Sequence, residues 1–220
     1  MGIVTNRRRV MGGKPLPYDS VVEYLESVGN GSNGGQYINT DVNIPMDCIH
    51  VEYHFAFMFT RNHKQVLFGH QNPSYQNPRT YAFYTNASAG DNRTFYAGNA
   101  LGAVKIAANT LVNGYITIDT TENKFNFYNN DTLAFSKNLN GAALNTTYPV
   151  KIFAGCYGNN IDDSASVRIF NFSIVHGSTL VRDFITVRVG QVGYMYDRVS
   201  GQLFGNAGTG AFVVGPDVNN

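Results

Sequence analysis

His50 and His54 stand four residues apart in "HVEYHFAFMF". On an extended strand that spacing places both imidazoles on one face, as metal ligands sometimes are. No third ligand lies within reach along the sequence, so the pair reads as structural and no metal centre is expected. His63 and His70 flank a short apolar run in "RNHKQVLFGH", and exposure in loops accounts for both. Cys48 and Cys156 sit in or beside apolar stretches, where burial disfavours the thiolate and so the nucleophile. Two thiols this far apart do not make the disulfide framework of a small secreted scaffold, and both are expected to be buried and free. No G-x-S-x-G elbow occurs, which removes the commonest serine-hydrolase signature.

Oxygen-rich loops are the next chemistry to weigh. "YGNNIDDSAS" gathers Asn159, Asn160, Asp162 and Asp163, whose oxygens could hold calcium, although a solvated polar turn explains them more simply. The expectation is therefore no cofactor, with calcium at this loop as the open alternative. Sugar binding needs aromatic faces for rings and amides for hydroxyls. Tryptophan is absent, but "NPSYQNPRTYAFYTN" sets Tyr75, Tyr81 and Tyr84 among asparagine and glutamine. If part of that segment is a strand, Tyr75 and one of the other two can face solvent. Tyr75, Tyr81, Tyr157, Asn159, Asn160 and Asp162 are thus the expected glycan-binding set.

These residues need elements to hold them. "VEYHFAFMF" (51–59) alternates and then turns apolar on both faces, as a central strand does. Similar short runs recur at 65–69, 80–84, 93–98, 114–119, 124–129, 132–136, 150–157, 167–175 and 180–189, separated by Asn, Asp, Gly and Pro clusters. Residues 124–135 read as a hairpin turning on Asn129, Asn130 and Asp131, residue types that tolerate positive φ; a second turns at Gly177. A helical period is faintly present only near 100–111. No fixed-period repeat is visible. Many short strands without intervening helices predict an all-β, two-sheet antiparallel sandwich of jelly-roll type in a single domain, residues 21–218.

Residues 1–20 differ. They are basic, carry Pro15 and Pro17, and show no alternation, so an extended N-terminal arm is expected, either a disordered tail or an anchor in which Arg7, Arg8 and Arg9 supply charge-assisted contacts. No apolar stretch follows the arginines as a secretory signal would require, and Asn6 stands where a myristoylation site wants Ser or Thr. Without a signal, the six Asn-x-Ser/Thr triplets reflect composition. Sixteen basic residues against fifteen acidic leave a net charge of +1, so neither nucleic acid nor a membrane is an expected partner.

Near the end, "VGYMYDRVSGQLFGNAGTGAF" is rich in glycine. A phosphate-cradling loop would run into a helix, whereas these glycines run into "AFVVGPDV", which reads as a strand. Asp197 and Gly201 fit a hairpin, and Gly205, Gly208 and Gly210 fit sharp turns beside another backbone. The run "LVRDFITVRVGQVGYMYDRVSGQLFGNAGTGAFVVGPDV", with the opening "VVEYLESVGNGSNGGQYINTDV", resembles the LamG-like jelly rolls of the concanavalin A-like lectin/glucanase superfamily, in the version found in gut bacteria and their phages. The resemblance spans nearly the whole chain, apart from an inserted "NGSNGG".

It implies a concanavalin A-like sandwich in which residues 37–41 lie beside the closing hairpins. Glucanases of that superfamily carry an E-x-D-x-x-E strand, because retaining hydrolysis needs two carboxyls about 5 Å apart. Glu23, Glu26, Glu52 and Glu122 are the only glutamates, and none has Asp two residues on, so no enzyme is expected. The resemblance further implies a phage virion protein, a capsid decoration or head fibre made in the host cytoplasm, attached by its arm and displaying a lectin-like domain, as a trimer or other homo-oligomer. The alternative is a free-standing carbohydrate-binding module or bacterial adhesion domain.

Overall fold

The structure is a computed structural model that describes residues 10–11, 14–29, 35–45, 47–61, 66–71, 79–85, 92–97, 100–139, 147–157, 160–162 and 164–218. Two antiparallel sheets pack face to face. The larger runs in the order Thr132–Asn138, Lys124–Asn129, Val112–Asp119, His50–Phe59, Ser166–His176, Thr179–Val189, Val192–Asp197, Gln202–Phe204. The smaller runs Ala100–Lys105, Asn92–Ala97, Arg79–Thr85, Phe68–Gln71, Lys151–Ile152, Ile38–Asn39. This is the all-β jelly-roll sandwich that the alternation predicts.

Strand His50–Phe59 sits at the centre of the large sheet. Val51, Tyr53, Phe55, Phe57 and Phe59 point into the core, and His50, Glu52, His54 and Met58 point out. Phenylalanines join the layers: Phe95 and Phe68 from the small sheet meet Phe127 and Phe172 from the large one, with ring centroids 4.5 and 4.9 Å apart. Each such ring, fully removed from water, contributes about 2–3 kcal/mol.

Turn chemistry places the hairpins. Asn130 and Asp131 take φ of 47° and 59°, the left-handed pair a tight hairpin demands, and Gly177 takes 57°. Asp197 is fully buried at the third turn, accepting bonds from the Asp183, Val199 and Ser200 N–H groups, while Gly201 closes it at φ 72°.

Two expectations change. Residues 150–157 are not one strand: they divide into Lys151–Ile152 and Gly155–Tyr157 at Phe153, whose φ of 72° is rare for a bulky residue. Its N–H donates to Leu67 at 2.6 Å and its ring is buried against Phe212 at 4.7 Å, so packing holds the bend. The faint helical period near 100–111 is also overruled, because Ala100–Lys105 is an edge strand. Its inward positions are small, and Gly102 lies directly under the Phe135 ring.

The beginning and end of the fold are knitted together. Val213–Val214 pairs with Leu25–Glu26, and Val22 bridges to Asp217. Tyr37 donates its N–H to the Asn206 side chain and accepts from Ala207, as the resemblance implies. Gly208 must be glycine, since a Cβ there would overlap the Gly35 carbonyl oxygen. Within the stretch expected to be an arm, Tyr18 is buried on the outer face of the large sheet with Val187 and Tyr196, and Ser20–Val21 pairs with Arg188 and Val187. Arg7, Arg8 and Arg9 lie outside the described residues.

Candidate functional site

The outer face of the large sheet is where polar and aromatic side chains converge. Its central strand presents His50, Glu52 and His54 in a line, and each meets an outward partner on strand Val112–Asp119: Asp119, Thr117 and Tyr115 respectively. Strand Lys124–Asn129 adds Lys124, Asn126 and Tyr128 in the same three rows. Period-two alternation aims this grid outward once Ile116, Ile118, Phe125 and Phe127 have been buried.

One row is an aromatic stack. The Tyr128 and Tyr115 rings lie 4.5 Å apart at 12°, and Tyr115 and His54 lie 4.9 Å apart at 20°. Asn126 donates to the Thr117 hydroxyl at 3.1 Å in the adjoining row.

Alongside the stack, across the adjoining rows, runs a chain of acids and imidazoles. His50 sits between two carboxylates, with Nδ1 3.1 Å from Asp119 and Nε2 2.9 Å from Glu52. The second Glu52 oxygen lies 2.7 Å from His54 Nε2. An imidazole facing acceptors at both nitrogens is best served by carrying both protons. Burial pulls His50 toward neutrality, but its bonds to Glu52 and Asp119 more than offset this, and its pKa rises. Burial likewise pushes Glu52 up, and the bonds from His50 and His54 outweigh it to leave a net fall. Asp119 is pushed up by burial and brought down further by the Glu122 N–H and His50. Both carboxylates are therefore held ionised, the reverse of what a general acid needs. Among the described residues no group of three His, Cys, Asp or Glu could hold a metal ion. The third partner of the histidine pair is Glu52 itself, standing between them as a hydrogen-bond bridge.

On the other side of His54 the outward position is held by a short side chain, Ser173. His54 pairs with Ser173, and Ser173 with Asp183, whose carboxylate is clasped by Arg198 through Nε at 2.8 Å and Nη2 at 2.7 Å. Asn171 is exposed two residues along from Ser173, opposite the small Ala56. Beyond it rises the apolar cluster of Tyr18, Ile185 and Tyr196.

The expected glycan-binding set falls elsewhere and largely beyond description. Tyr75 and Asn159 lie outside the described residues, as does Asp163 of the calcium loop. Tyr81 is on strand Arg79–Thr85, while Tyr157 pairs with Asn160 in a hairpin that also carries Asp162. The side chains of these four are outside the described ones. His70 corrects the sequence reading: it is fully buried, not loop-exposed, because it follows Phe68 by two and so shares its inward face. Burial depresses its pKa to about 3; its Nε2 lies 3.4 Å from the Tyr53 hydroxyl and its Nδ1 has no partner among the described residues. Cys48 is half-buried, donates to the His50 carbonyl at 3.0 Å, and has its thiol pKa raised by burial, consistent with an inert side chain. Tyr115, Tyr128 and Ser173 were missed in the sequence, although the strand registers that set Tyr115 opposite Tyr128 and Ser173 opposite Asp183 contain the signal that would align them.

No protein-family model matches the chain, and no curated protein does. Among solved structures it is similar to a candidate carbohydrate-binding protein from Bacteroides ovatus, at 12% identity and TM-score 0.60, over 94% of this chain and 62% of that one. It also matches the CBM40 domain of the Ruminococcus gnavus IT-sialidase, solved with α2,3-sialyllactose, at 12% identity and TM-score 0.41, over 68% of this chain and 90% of that one. A third match is the PL7 alginate lyase AlyA1 of Zobellia galactanivorans, at 13% identity and TM-score 0.36, over 64% of this chain and 65% of that one. The chain thus spans under two thirds of the Bacteroides ovatus protein, and what it shares with that protein is the jelly-roll fold.

Proposed function

We propose that this chain is a non-enzymatic, glycan-binding jelly-roll module. The observation that carries the reading is the outer face of the large sheet, where aromatic rings, amides and hydroxyls share one surface in the mixture that recognises sugars. Its carboxylates, Glu52 and Asp119, are engaged by histidines and held ionised, which supports binding over hydrolysis. The Bacteroides ovatus protein, a candidate for carbohydrate binding, supports the reading through its fold. The test is a glycan array probed with the chain in multimeric form, where avidity reveals weak sites, with and without calcium. Binding to a defined set of glycans is expected; a blank array at high protein concentration overturns the proposal.

Display on a phage particle is the finer form of the same proposal, supported by the resemblance and by the basic residues Arg7, Arg8 and Arg9. The intact chain should bind purified virion components in a salt-sensitive way, and a chain lacking residues 1–9 should not. Equal binding by both forms, or by neither, removes the arm as an anchor and leaves a free-standing module.

A further inference from the structure

We propose that the gap between His54 and Asp183 is a slot for one terminal hexose ring of a neutral glycan, an inference that rests on the glycan-binding reading. His54, Ser173 and Asp183 are consecutive cross-strand partners on the outer face. Neighbouring strands are spaced about 4.8 Å, so the two walls stand roughly 10 Å apart across a floor of one serine. A pyranose between them would leave van der Waals distance on both sides. One His54 ring face is covered by Tyr115, stacked at 20°, and the other is turned toward the slot. That free face offers an apolar platform for the C–H side of a sugar.

The polar groups match. Among the described residues neither the Ser173 hydroxyl nor the Asn171 amide has a side-chain partner, so both are available to sugar hydroxyls. Asp183 Oδ2 takes both Arg198 bonds, leaving Oδ1 to accept from a hydroxyl pair. Arg198, in turn, is already committed to a carboxylate. His54 is committed to Glu52 in the same way. The charges that border the slot are paired with one another, Asp183 with Arg198 and Glu52 with His50 and His54, so among the described residues they offer a sugar carboxylate no uncommitted partner. The geometry therefore selects neutral sugars and rejects uronic and sialic acids.

The test pairs the glycan array with titrations followed by amide NMR, using lactose and maltose as neutral probes and 3′-sialyllactose and glucuronic acid as acidic ones. Neutral-terminated glycans should bind and shift the amides of residues 54, 171, 173 and 183, while the acidic probes should not. Ser173→Phe fills the slot and should abolish binding. Asn171→Ala, at an exposed position, should weaken it by about threefold to tenfold without touching the fold, and it decides the matter if Ser173→Phe does not fold. Array binding that survives both substitutions overturns the slot while leaving the glycan reading intact, with the site then elsewhere. Exclusive binding of carboxylated sugars overturns the ligand class. A blank array takes both proposals down together.

Discussion

At the scale of single residues, the sharpest demands come from buried polar groups. Asp197 is fully buried and satisfies three backbone N–H groups at the turn. Asp197→Ala should cost about 2–4 kcal/mol in urea unfolding, and Asp197→Asn less, because one acceptor survives. His70 and His50 give the pH dependence opposite signs. The folded pKa of His70 is depressed to about 3, below its unfolded value of 6.5. The unfolded chain then binds the extra proton, and stability falls as pH drops from 6.5 toward 3, by up to about 1.4 kcal/mol per unit. His70→Phe should flatten that acid limb in a series of melts. His50 has a raised folded pKa, so its contribution is complete below 6.5 and is lost as pH rises through the folded value. His50→Gln should remove that alkaline loss. The sequence showed the imidazoles but not these opposite fates, which depend on whether a strand position faces Phe68 or Glu52. Period-two alternation fixes the answer only once each strand's inward face is known.

Elements were more legible. Asn130 and Asp131 announce their hairpin because few other residues accept φ of 47° and 59°. Asp131→Ala should cost about 1 kcal/mol, seen as a melting shift of about 2–4 °C, while Asp131→Gly should cost almost nothing. The Asp197 and Gly201 turn and the role of Gly208 were readable for the same reason, since backbone shape restricts residue type. Residues 150–157 misled because the bend at Phe153 is imposed from outside the segment, by Leu67 and Phe212. Local pattern carries no trace of such partners. Tyr115 and Tyr128 escaped notice differently: each looks ordinary on its strand, and only pairing with His54 makes a row of them.

For the whole molecule, the sandwich was legible and its second apolar cluster was not. Tyr18 rests on Tyr196, with ring centroids 5.0 Å apart, on a sheet face that pattern alone would leave to solvent. Tyr18→Ala should lower stability by about 2–3 kcal/mol with an unchanged denaturant slope, as expected if this cluster unfolds together with the main core. A separate early transition would instead make it an independent unit. The pairing of Leu25–Glu26 with Val213–Val214, and the Ser20 to Asp217 hydrogen bond spanning 197 positions, also govern when the fold can exist. At roughly 5–20 residues per second, a ribosome that has released the first edge needs roughly 10–40 s to supply its partner. Throughout that interval the edge of Leu25–Val28 that Val213–Val214 will cover stays unpaired, so the large sheet is completed only once translation has passed residue 217.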